Sequence, residues 1–521
     1  MDNKNYFVNI LSPVIPALSH YSYFKRYRMP VNITRKDVLF EPDASRVIAR
    51  FMSSSYDRSM ALITRILNFS EKQQKEVLTQ VLRDYSKRHR RISLIFENHF
   101  KRLDTIFKRL NVEPESLSSM QKTLIGSYFT MEYSIEAAAF FNPSIFEDPD
   151  QTGLVRGEKR VIISFRATGE GHISSIVFRS GVIDDQNNIT IEPPGKMLES
   201  PEHVKNHTYH KKSFSRKLEE MQNCKCTAYP LMMDRLTDTF TYEELKRYVK
   251  ETLMLVQDDP QSLVLLNEIM WLASSHYEID FSVDTAISER VIFPIADTEI
   301  KGIEDARFVR FTGDDGEITY YATYTAYDGI TILPKLLLTK DFYHFKVMPV
   351  HGEVAQNKGM ALFPRKINGK YAMLCRVDGV NNYIAFSENI NVWREAKLLQ
   401  KPEFPWEFVQ MGNCGSPVET PEGWLVITHG VGPVREYVLG VSLLDIENPE
   451  IEIGRLTHPL LVPNDKEREG YVPNVVYSCG SMVHEKHLVI PYGMSDYASG
   501  YAIVDLAELL SELKNSKSNN H

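Results

Sequence analysis

The spacing of apolar residues indicates helices in the first third of the chain. In two stretches the apolar side chains recur every three or four residues, as they do in an amphipathic helix. Ser70, followed three residues later by Gln73, predicts a capping box at the start of the first stretch. The two stripes consist of Val77, Leu78, Val81, Leu82 and Tyr85, then Ile92, Ile95, Phe96, Phe100 and Leu103. Residues 1–137 are therefore predicted to form a mostly helical region.

From about residue 140 the pattern changes to short β-type runs separated by turns. Five runs look alike: RVIISFRATG (160–169), TYYATYTAYDG (319–329), KYAMLCRVDG (370–379), GWLVITHGVG (423–432) and HLVIPYGMSD (487–496). Repeated turn–strand–loop units are typical of a β-propeller, in which each blade supplies one strand to a central channel. The sequence thus predicts a mainly β fold, a five-bladed β-propeller over residues 138–521. A β-sandwich is the competing architecture.

The wide gap between the first and second runs predicts a helical insertion at about residues 205–275. Two segments there, TYEELKRYVKETLMLV (241–256) and QSLVLLNEIMWLA (261–273), have helical periodicity. The predicted catalytic part of the chain is therefore a propeller with helical additions.

Equivalent positions of the five runs carry an excess of basic side chains. With the runs aligned, the fifth position after each anchor is Arg166, Ala326, Arg376, His429 and Gly493. If the runs are the innermost strands, these positions face one end of a common channel, and three of the five are basic or can become so. In a chain of net charge -8 this set indicates an anionic ligand. The alternative is that each arginine pairs with a carboxylate of its own blade.

Composition excludes several other classes. The net charge of -8 over 521 residues argues against a general nucleic-acid binder, and no apolar run approaches the length of a membrane span. The first residues lack the basic segment and cleavage site of a signal peptide. The five cysteines are Cys224, Cys226, Cys375, Cys414 and Cys479. Such a sparse, odd set predicts a reducing, cytoplasmic location, and no spacing among them predicts a metal site.

Candidate chemistry begins with the stretch KGIEDARFVRF, residues 301–311. It places Glu304 and Asp305 ahead of a strand, with Arg307 two residues further on. Propeller geometry would bring Asp305 towards Asp496, which follows the fifth run, and carboxylates facing a sugar are needed for glycosyl transfer. In that case Arg307 would orient the acid. The alternative is a turn with a local Asp–Arg pair, which spacing alone slightly favours.

Four segments together resemble glycoside hydrolase family 130, which contains β-mannoside phosphorylases and a smaller group of β-1,2-mannosidases. They are GIEDARFVRF, NKGMALFPRKINGKYAMLCR, GSPVETPEGWLVITHGVG and YVPNVVYSCGSMVHEKHLVIPYGMSDYASGYAIVDLAELL. The similarity covers about residues 138–512 and implies the five-bladed propeller of that family. The segment RATGEGHISSIVFRSG (166–181) and the helical N-terminal part resemble the long subgroup, which includes oligomannan phosphorylases.

The resemblance implies roles for particular residues. Asp305 corresponds to the catalytic acid, although Ala306 stands where the family usually has proline. Residues matching sugar ligands of the family are Asn142, Arg166 and Asp496, and those matching phosphate contacts are His429 and Lys358. Tyrosines near the channel, such as Tyr324, Tyr327 and Tyr492, are candidates for stacking on sugar rings.

The sequence departs from the family pattern at Gln410. Short phosphorylases carry a basic residue just before the G-x-G-x-P stretch, whereas this chain reads VQMGNCGSP. Another cation must then complete the phosphate site. The candidates are His172, Arg179, Lys335 and Arg435, with Arg376 added from the alignment of the runs.

The implied reaction is inverting phosphorolysis of a β-mannoside, with inorganic phosphate as co-substrate and no cofactor. Two rivals remain open: a β-1,2-mannosidase, in which Glu419 or Glu304 would be the base, and a non-catalytic carbohydrate- or protein-binding propeller. The basic residues at the aligned positions argue against the hydrolase, because a neutral water nucleophile is not stabilised by a cluster of positive charges. The apolar faces of the N-terminal helices need a partner surface, which the propeller or a second copy of the chain would supply.

Overall fold

The computed structural model describes residues 31–200, 208–221 and 226–517. These residues form a mainly β structure with two groups of helices, and the large sheets have ten, four, five and five strands. The first 30 residues, on which the expectation of no signal peptide rests, and Cys224 lie outside the described residues. In the described part of the chain, every helix is too short or too polar to span a membrane.

Five helices follow one another near the start and pack around their own apolar core. They are α1 (Tyr56–Leu67), α2 (Glu71–Tyr85), α3 (Ile92–Lys101), α4 (Asp104–Leu110) and α5 (Ser119–Tyr128). The capping box predicted at Ser70 is confirmed, since its hydroxyl accepts from the Gln73 backbone N–H and the Gln73 side chain accepts from the Ser70 backbone. The strands Val47–Phe51 and Thr130–Ser134, which precede and follow these helices in the chain, form an antiparallel pair. The predicted domain boundary at residue 137 stays a prediction.

The second helical group has a separate core and lies between two strands of the sheet region. It consists of α6 (Lys211–Met221), α7 (Ala228–Met233), α8 (Tyr242–Leu255) and α9 (Pro260–Ser274), with the short strand pair Thr208–His210 and Thr239–Thr241. A capping box at Thr241 starts α8, and the Asp259 side chain caps α9. A last helix, α10 (Leu506–Lys517), ends the described chain.

The ten-stranded sheet consists of two antiparallel halves joined by one parallel pair, Gly302 with Ser174; these halves are named sheets A and B, and the other three large sheets are named C to E in chain order. Sheet A contains Ala139–Glu147, Lys159–Thr168 and Ser174–Ile183, with Ile189–Ile191 and Val291–Ile292 on its edge. Sheet B contains Gly302–Thr312, Ile318–Tyr327, Ile332–Thr339, His344–Pro349 and Tyr277–Asp280. Sheet C contains Ala361–Leu362, Tyr371–Cys375, Asn382–Ser387 and Ala396–Gln400. Sheet D contains Gln410–Asn413, Val418–Thr420, Gly423–Val431, Tyr437–Leu444 and Glu452–Arg455. Sheet E contains Val476–Tyr477, Met482–His484, His487–Met494, Ala498–Asp505 and, from the start of the chain, Ile33–Arg35.

Each of the five similar runs supplies a strand to a different sheet. The alignment of the runs assumed that these strands are the innermost ones, and they are not. In every sheet an earlier strand pairs with the run, so the run is the second strand rather than the innermost one. The register nevertheless makes the aligned positions equivalent: Phe141 pairs with Arg166, and Gly412 pairs with His429. Side chains of the run therefore reach the same end of the sheets as side chains of the preceding strand.

Successive sheets pack face to face through apolar clusters. Leu337 packs in the cluster between sheets A and B, whereas its neighbour Leu336 belongs to the cluster between B and C. Likewise Leu488 faces sheet D, and Val489 faces sheet A. Because successive strand residues point to opposite faces, a strand buried on both sides must be apolar at consecutive positions. This requirement explains why the runs are continuously hydrophobic.

Candidate functional site

A cavity of about 460 Å³ lies where strands and loops of all five sheets approach one another. Its lining residues are Asn142, Arg166, Asp305, Asn357, Lys358, Arg376, Gly379, Gln410, His429, Arg435, Tyr437, Val472, Val475, Tyr477 and Asp496. This volume is within the range of small-ligand sites. The fold thus brings together eight of the site residues predicted from the sequence: Asn142, Arg166, Asp305, Lys358, Arg376, His429, Arg435 and Asp496.

Two irregular strands place Asn142 and Asp305 against each other. Both residues have left-handed backbone conformations, with φ of 51° and 53°, and each lies where the strand register shifts. Such bulges re-aim a side chain out of the normal alternation. As a result the Asn142 Nδ2 donates to Asp305 Oδ1 over 2.8 Å. A strained backbone that fixes a polar contact is typical of a functional site.

A short chain of charges surrounds the Asp305 carboxylate. The Arg166 Nη1 lies 3.3 Å from Asp305 Oδ1, and its Nη2 donates to Glu304 Oε1 over 2.6 Å. Lys358 also donates to Glu304. Burial alone would raise the pKa of Asp305, but the positive charges of Arg166 and Lys358 outweigh burial, so this pKa lies below its usual value. In the unliganded site Asp305 is therefore ionised at neutral pH.

Asp496 has the opposite electrostatic character. It follows Ser495 in a turn where both residues are left-handed, with φ of 48° and 52°. Burial raises the pKa of Asp496 to about 6, and the Asp305 charge adds to this rise while Arg166 opposes it. The cavity thus holds one carboxyl that is hard to protonate and one that titrates near neutrality.

Two cations without a carboxylate partner among the described residues lie at another part of the cavity: Arg376 lines it, and Arg307 contacts the lining residue Tyr477. Arg307 is 4% exposed; its Nη2 donates to Tyr477 Oη over 2.7 Å, so it does not pair directly with Asp305 as the sequence suggested. Arg376 donates to the backbone oxygen of Gly379. In the described ranges neither arginine forms an ion pair, and the Nε of each has no hydrogen-bond partner. Burial lowers the pKa of Arg376, and the neighbouring charge of Arg307 lowers it further.

His429 lies beside these arginines. Burial and the charges of Arg376 and Arg307 lower the pKa of His429 well below its usual value, so its ring is neutral at pH 7. Gly412 allows the close approach, because a Cβ there would lie 2.5 Å from Arg376 Cδ and 2.8 Å from His429 Cε1. Two arginine side chains, one buried and one half-buried, therefore converge with a neutral imidazole, and the Nε donor of each guanidinium is unused. Buried positive charge of this kind requires an anion.

Other predicted residues lie elsewhere. Tyr327 donates to the backbone oxygen of Gly329 outside the cavity lining, and His172 stacks on Tyr471 at 5.2 Å between ring centroids. Of the candidates for the missing cation, Arg435 lines the cavity. By contrast, Arg179 forms a buried ion pair with Glu136, and Lys335 forms one with Glu299.

Three further expectations can be compared with the structure. Tyr324 donates to Glu299 and Tyr492 donates to Glu467, so both hydroxyls are used inside the protein. The hydrolase rival proposed Glu419, whose carboxylate instead pairs with Arg365.

The cavity also contains residues that sequence reasoning did not find. Tyr477 and Tyr437 line it near His429, and Gln410 donates to the Tyr437 hydroxyl over 3.1 Å. Asn357 is a lining residue too. Single tyrosines and asparagines have no characteristic spacing, and the only signal was their place beside quoted motifs, such as Asn357 before Lys358.

Fold and cavity together describe a mainly β protein with an acid group and an unpaired cation cluster in one pocket. The family model of glycoside hydrolase family 130, described as beta-1,4-mannooligosaccharide phosphorylase, matches residues 267–515. A 1,2-beta-oligomannan phosphorylase of Thermoanaerobacter sp. (strain X514) is 36% identical over 218 residues, which are 40% of this chain and 71% of that protein. The chain therefore belongs to glycoside hydrolase family 130.

Two further similarities are to beta-1,2-mannobiose phosphorylases from Listeria innocua. The beta-1,2-mannobiose phosphorylase of serovar 6a is 30% identical over 232 residues, which are 43% of this chain and 63% of that protein. A solved structure of beta-1,2-mannobiose phosphorylase from Listeria innocua, in complex with beta-1,2-mannobiose, covers 73% of this chain and 92% of its own. Its TM-score is 0.42 at 20% identity.

Proposed function

We propose that this protein is an inverting phosphorylase of β-1,2-linked mannosides. Inorganic phosphate would attack the anomeric carbon of the terminal mannose and release α-mannose 1-phosphate and a shortened mannoside. Family membership supports the glycoside-cleaving chemistry. The β-1,2 linkage rests on the names of similar proteins, which include phosphorylases of 1,2-β-oligomannan and β-1,2-mannobiose.

The single observation that carries the phosphorylase proposal is the pair Arg307 and Arg376. Arg307 is buried and Arg376 is half-buried, the two are close enough to affect each other's charge, and neither has an ion-pair partner among the described residues. A phosphate between them would accept charge-assisted hydrogen bonds and remove the repulsion of the two guanidinium groups. A water nucleophile would do neither. Phosphate held in line with the sugar also gains from proximity, worth up to ~7–11 kcal/mol in ideal cases.

Asp305 is the proton donor in this proposal. As phosphate forms a bond to the anomeric carbon, the bond to the leaving oxygen breaks, and that oxygen takes a proton which originates on Asp305. The resemblance to the family implies a path through the 3-hydroxyl of the sugar. Before substrates bind, the pKa of Asp305 is held low by Arg166 and Lys358. Bound phosphate compensates these charges and raises this pKa, so phosphate binding prepares the acid.

The remaining side chains hold the sugar. Asn142 fixes the Asp305 carboxylate through its amide, and Asp496 presents a carboxyl at the same cavity. We propose that Asp496 accepts hydrogen bonds from mannose hydroxyls above pH 6, where it is ionised, and that Arg435 adds a cation in place of the basic residue missing at position 410.

We also infer that sheets A to E are the five blades of a β-propeller. Apolar clusters join A to B, B to C, C to D and D to E, and a fifth cluster joins E back to A. The strand Ile33–Arg35 pairs with Ala498–Asp505, so the two ends of the described chain share sheet E. A ring of five sheets around the cavity accounts for all of these contacts.

The proposal includes no cofactor, because phosphate is itself the nucleophile. The cytoplasmic location and an assembly of several copies stay predictions.

The test is incubation of purified protein with β-1,2-mannobiose, with and without phosphate, followed by product analysis. We expect mannose 1-phosphate and mannose in equal amounts, and no cleavage without phosphate. Release of mannose alone at the same rate in both samples would instead identify a hydrolase. Binding without any cleavage would identify a carbohydrate-binding protein.

A further inference from the structure

An exposed aromatic pair stands at the mouth of the cavity. The Tyr471 and His172 rings are stacked with an interplanar angle of 29° and 5.2 Å between centroids. His172 covers one face of the tyrosine ring, yet Tyr471 remains 69% exposed, so the other face is open to solvent. Gly171 and His172 are both left-handed, which turns the imidazole towards the tyrosine. The pair is therefore a supported flat apolar surface.

The loop that carries Tyr471 is anchored beside the sugar site. The Val472 N–H donates to the backbone oxygen of Ser495, the residue before Asp496, and the Ser495 hydroxyl donates to the backbone of Glu467. Gly470 packs so closely on Ser495 that a Cβ would meet its oxygen at 2.4 Å. Val472 also lines the cavity, while Tyr471 does not. Tyr471 is thus next in the chain to a residue of the cavity wall, on a loop whose backbone is held on both sides of it.

The aromatic pair lies on the side of the cavity that the leaving sugar would occupy. The unpaired cations Arg307 and Arg376, with His429, come from sheets B, C and D. The aromatic pair comes instead from the loop after Lys159–Thr168 of sheet A and the loop before sheet E. In an inverting displacement the nucleophile and leaving group are on opposite faces of the reacting carbon. Phosphate at the cations places the acceptor part of the mannoside on the side of sheets A and E.

We propose that Tyr471, supported by His172, is the stacking platform for a mannose unit beyond the first one on the acceptor side. The inference rests on the proposed function and adds a chain-length preference to it. Aromatic rings bind the apolar face of a sugar, and a ring just outside the wall meets the second acceptor-side unit rather than the first. Mannotriose and longer β-1,2-mannosides would use this contact, whereas mannobiose would not reach it.

The experiment compares kcat/KM for β-1,2-mannobiose, mannotriose and mannotetraose at saturating phosphate. We expect wild type to prefer the two longer substrates over mannobiose. Tyr471→Ala should raise KM for these two about 5–10-fold, the effect expected of one aromatic contact. Its KM values for mannobiose and phosphate should stay within about twofold of wild type. Tyr471→Phe keeps the ring and should behave as wild type, and His172→Ala should show an intermediate loss.

Tyr85→Ala is the matched control, because Tyr85 is also partly exposed, at 39%, but lies on α2. It should change none of these constants. The proposal is overturned if wild type shows no preference for longer substrates or if Tyr471→Ala leaves that preference intact. It is also overturned if Tyr471→Ala raises KM for all three substrates by the same factor. If wild type releases no mannose 1-phosphate, the proposed function has failed. In that case the dissociation constants of mannotriose for wild type and Tyr471→Ala, measured by calorimetry, test the Tyr471 platform independently of any reaction. Equal dissociation constants would reject the platform.

Discussion

Sheet B contributes to two buried charge clusters that differ in how they are completed. In the first, the Glu299 carboxylate accepts from Lys335 over 2.7 Å, from Tyr324 over 2.7 Å and from Tyr277 over 2.8 Å. Burial raises the pKa of Glu299, but the Lys335 charge outweighs burial, so the net shift is downwards. Every charge in this cluster is paired with an opposite charge inside the protein.

The second cluster lies at the cavity and is incomplete. Arg307 is buried and Arg376 is half-buried, neither has an ion-pair partner in the described ranges, and the Nε of each has no hydrogen-bond partner. Each cluster contains a buried cation, Lys335 in the first and Arg307 in the second, so burial of a charged group alone does not indicate function. The clusters differ in whether their charged groups have partners inside the protein. A cluster in which every charge is paired stabilises the fold, whereas a cluster with unpaired charges can bind a ligand. The predictions below separate these two roles.

The largest expected effect concerns the acid. Asp305→Asn keeps an oxygen that can accept from Asn142 but cannot donate an ionisable proton. We expect kcat/KM for mannobiose phosphorolysis to fall by about 10²–10⁴-fold, the usual contribution of general acid catalysis. Circular dichroism should show an unchanged fold. Activity within tenfold of wild type would remove Asp305 from the proposed role.

Breaking the complete cluster should affect stability most. Lys335→Met leaves the Glu299 carboxylate buried without its counter-charge, and we expect unfolding free energy to drop by about 3–5 kcal/mol. Urea denaturation measures this drop. The folded fraction should keep the phosphate KM of wild type, and Glu299→Gln added to Lys335→Met should restore part of the stability. A variant as stable as wild type would contradict the contrast between the clusters.

Breaking the incomplete cluster should give the reverse result. Arg376→Met removes charge-assisted hydrogen bonds to phosphate, and we expect its KM for phosphate to rise about 10–100-fold with little change in Tm. Arg365→Met is the control, because Arg365 pairs with Glu419 outside the cavity. Thermal melts with added phosphate supply a second measurement: phosphate should raise the Tm of wild type more than that of Arg376→Met. Equal phosphate shifts in both proteins would place the anion elsewhere.

The smallest effect concerns Asp496. Its pKa of about 6 lies above the value near 3.9 of an unfolded aspartate, so folded protein binds this proton more tightly. Wild type therefore loses stability as pH rises from about 4 to 6, and the loss persists above pH 6. Asp496→Asn should be more stable than wild type by about 2 kcal/mol at pH 7.5, with no difference near pH 4.

The control measurement for Asp496 is urea unfolding of both proteins at the two pH values. A variant that is less stable than wild type at pH 7.5 would show that the carboxylate has a stabilising partner. Activity should also respond: wild-type kcat/KM should decline below about pH 6 as Asp496 becomes protonated, and Asn at this position should remove that decline.

Local patterns in the sequence predicted much of the architecture. The helical stripe after Ser70 and the capping box depend on neighbours within one turn, so they could be recognised directly. The β runs could also be recognised, because strands buried on both faces are apolar throughout. The position of each run within its sheet could not be recognised, since some of the preceding strands, such as Ala361–Leu362, are too short to show a pattern.

The sequence by itself determined the strand repeats, and it predicted Arg166, Arg376, His429 and Asp305 as site residues, all of which line the cavity. Only the tertiary structure decided which charges are neutralised. Lys335 and Arg435 were equal candidates for the missing cation, yet the first is paired with Glu299 and the second lines the cavity. His172 proved to support a tyrosine nearly 300 positions away in the chain rather than to line the pocket. The physical reason is that a charge or ring acquires its role from partners that are close in space, and residue spacing along the chain does not record those distances.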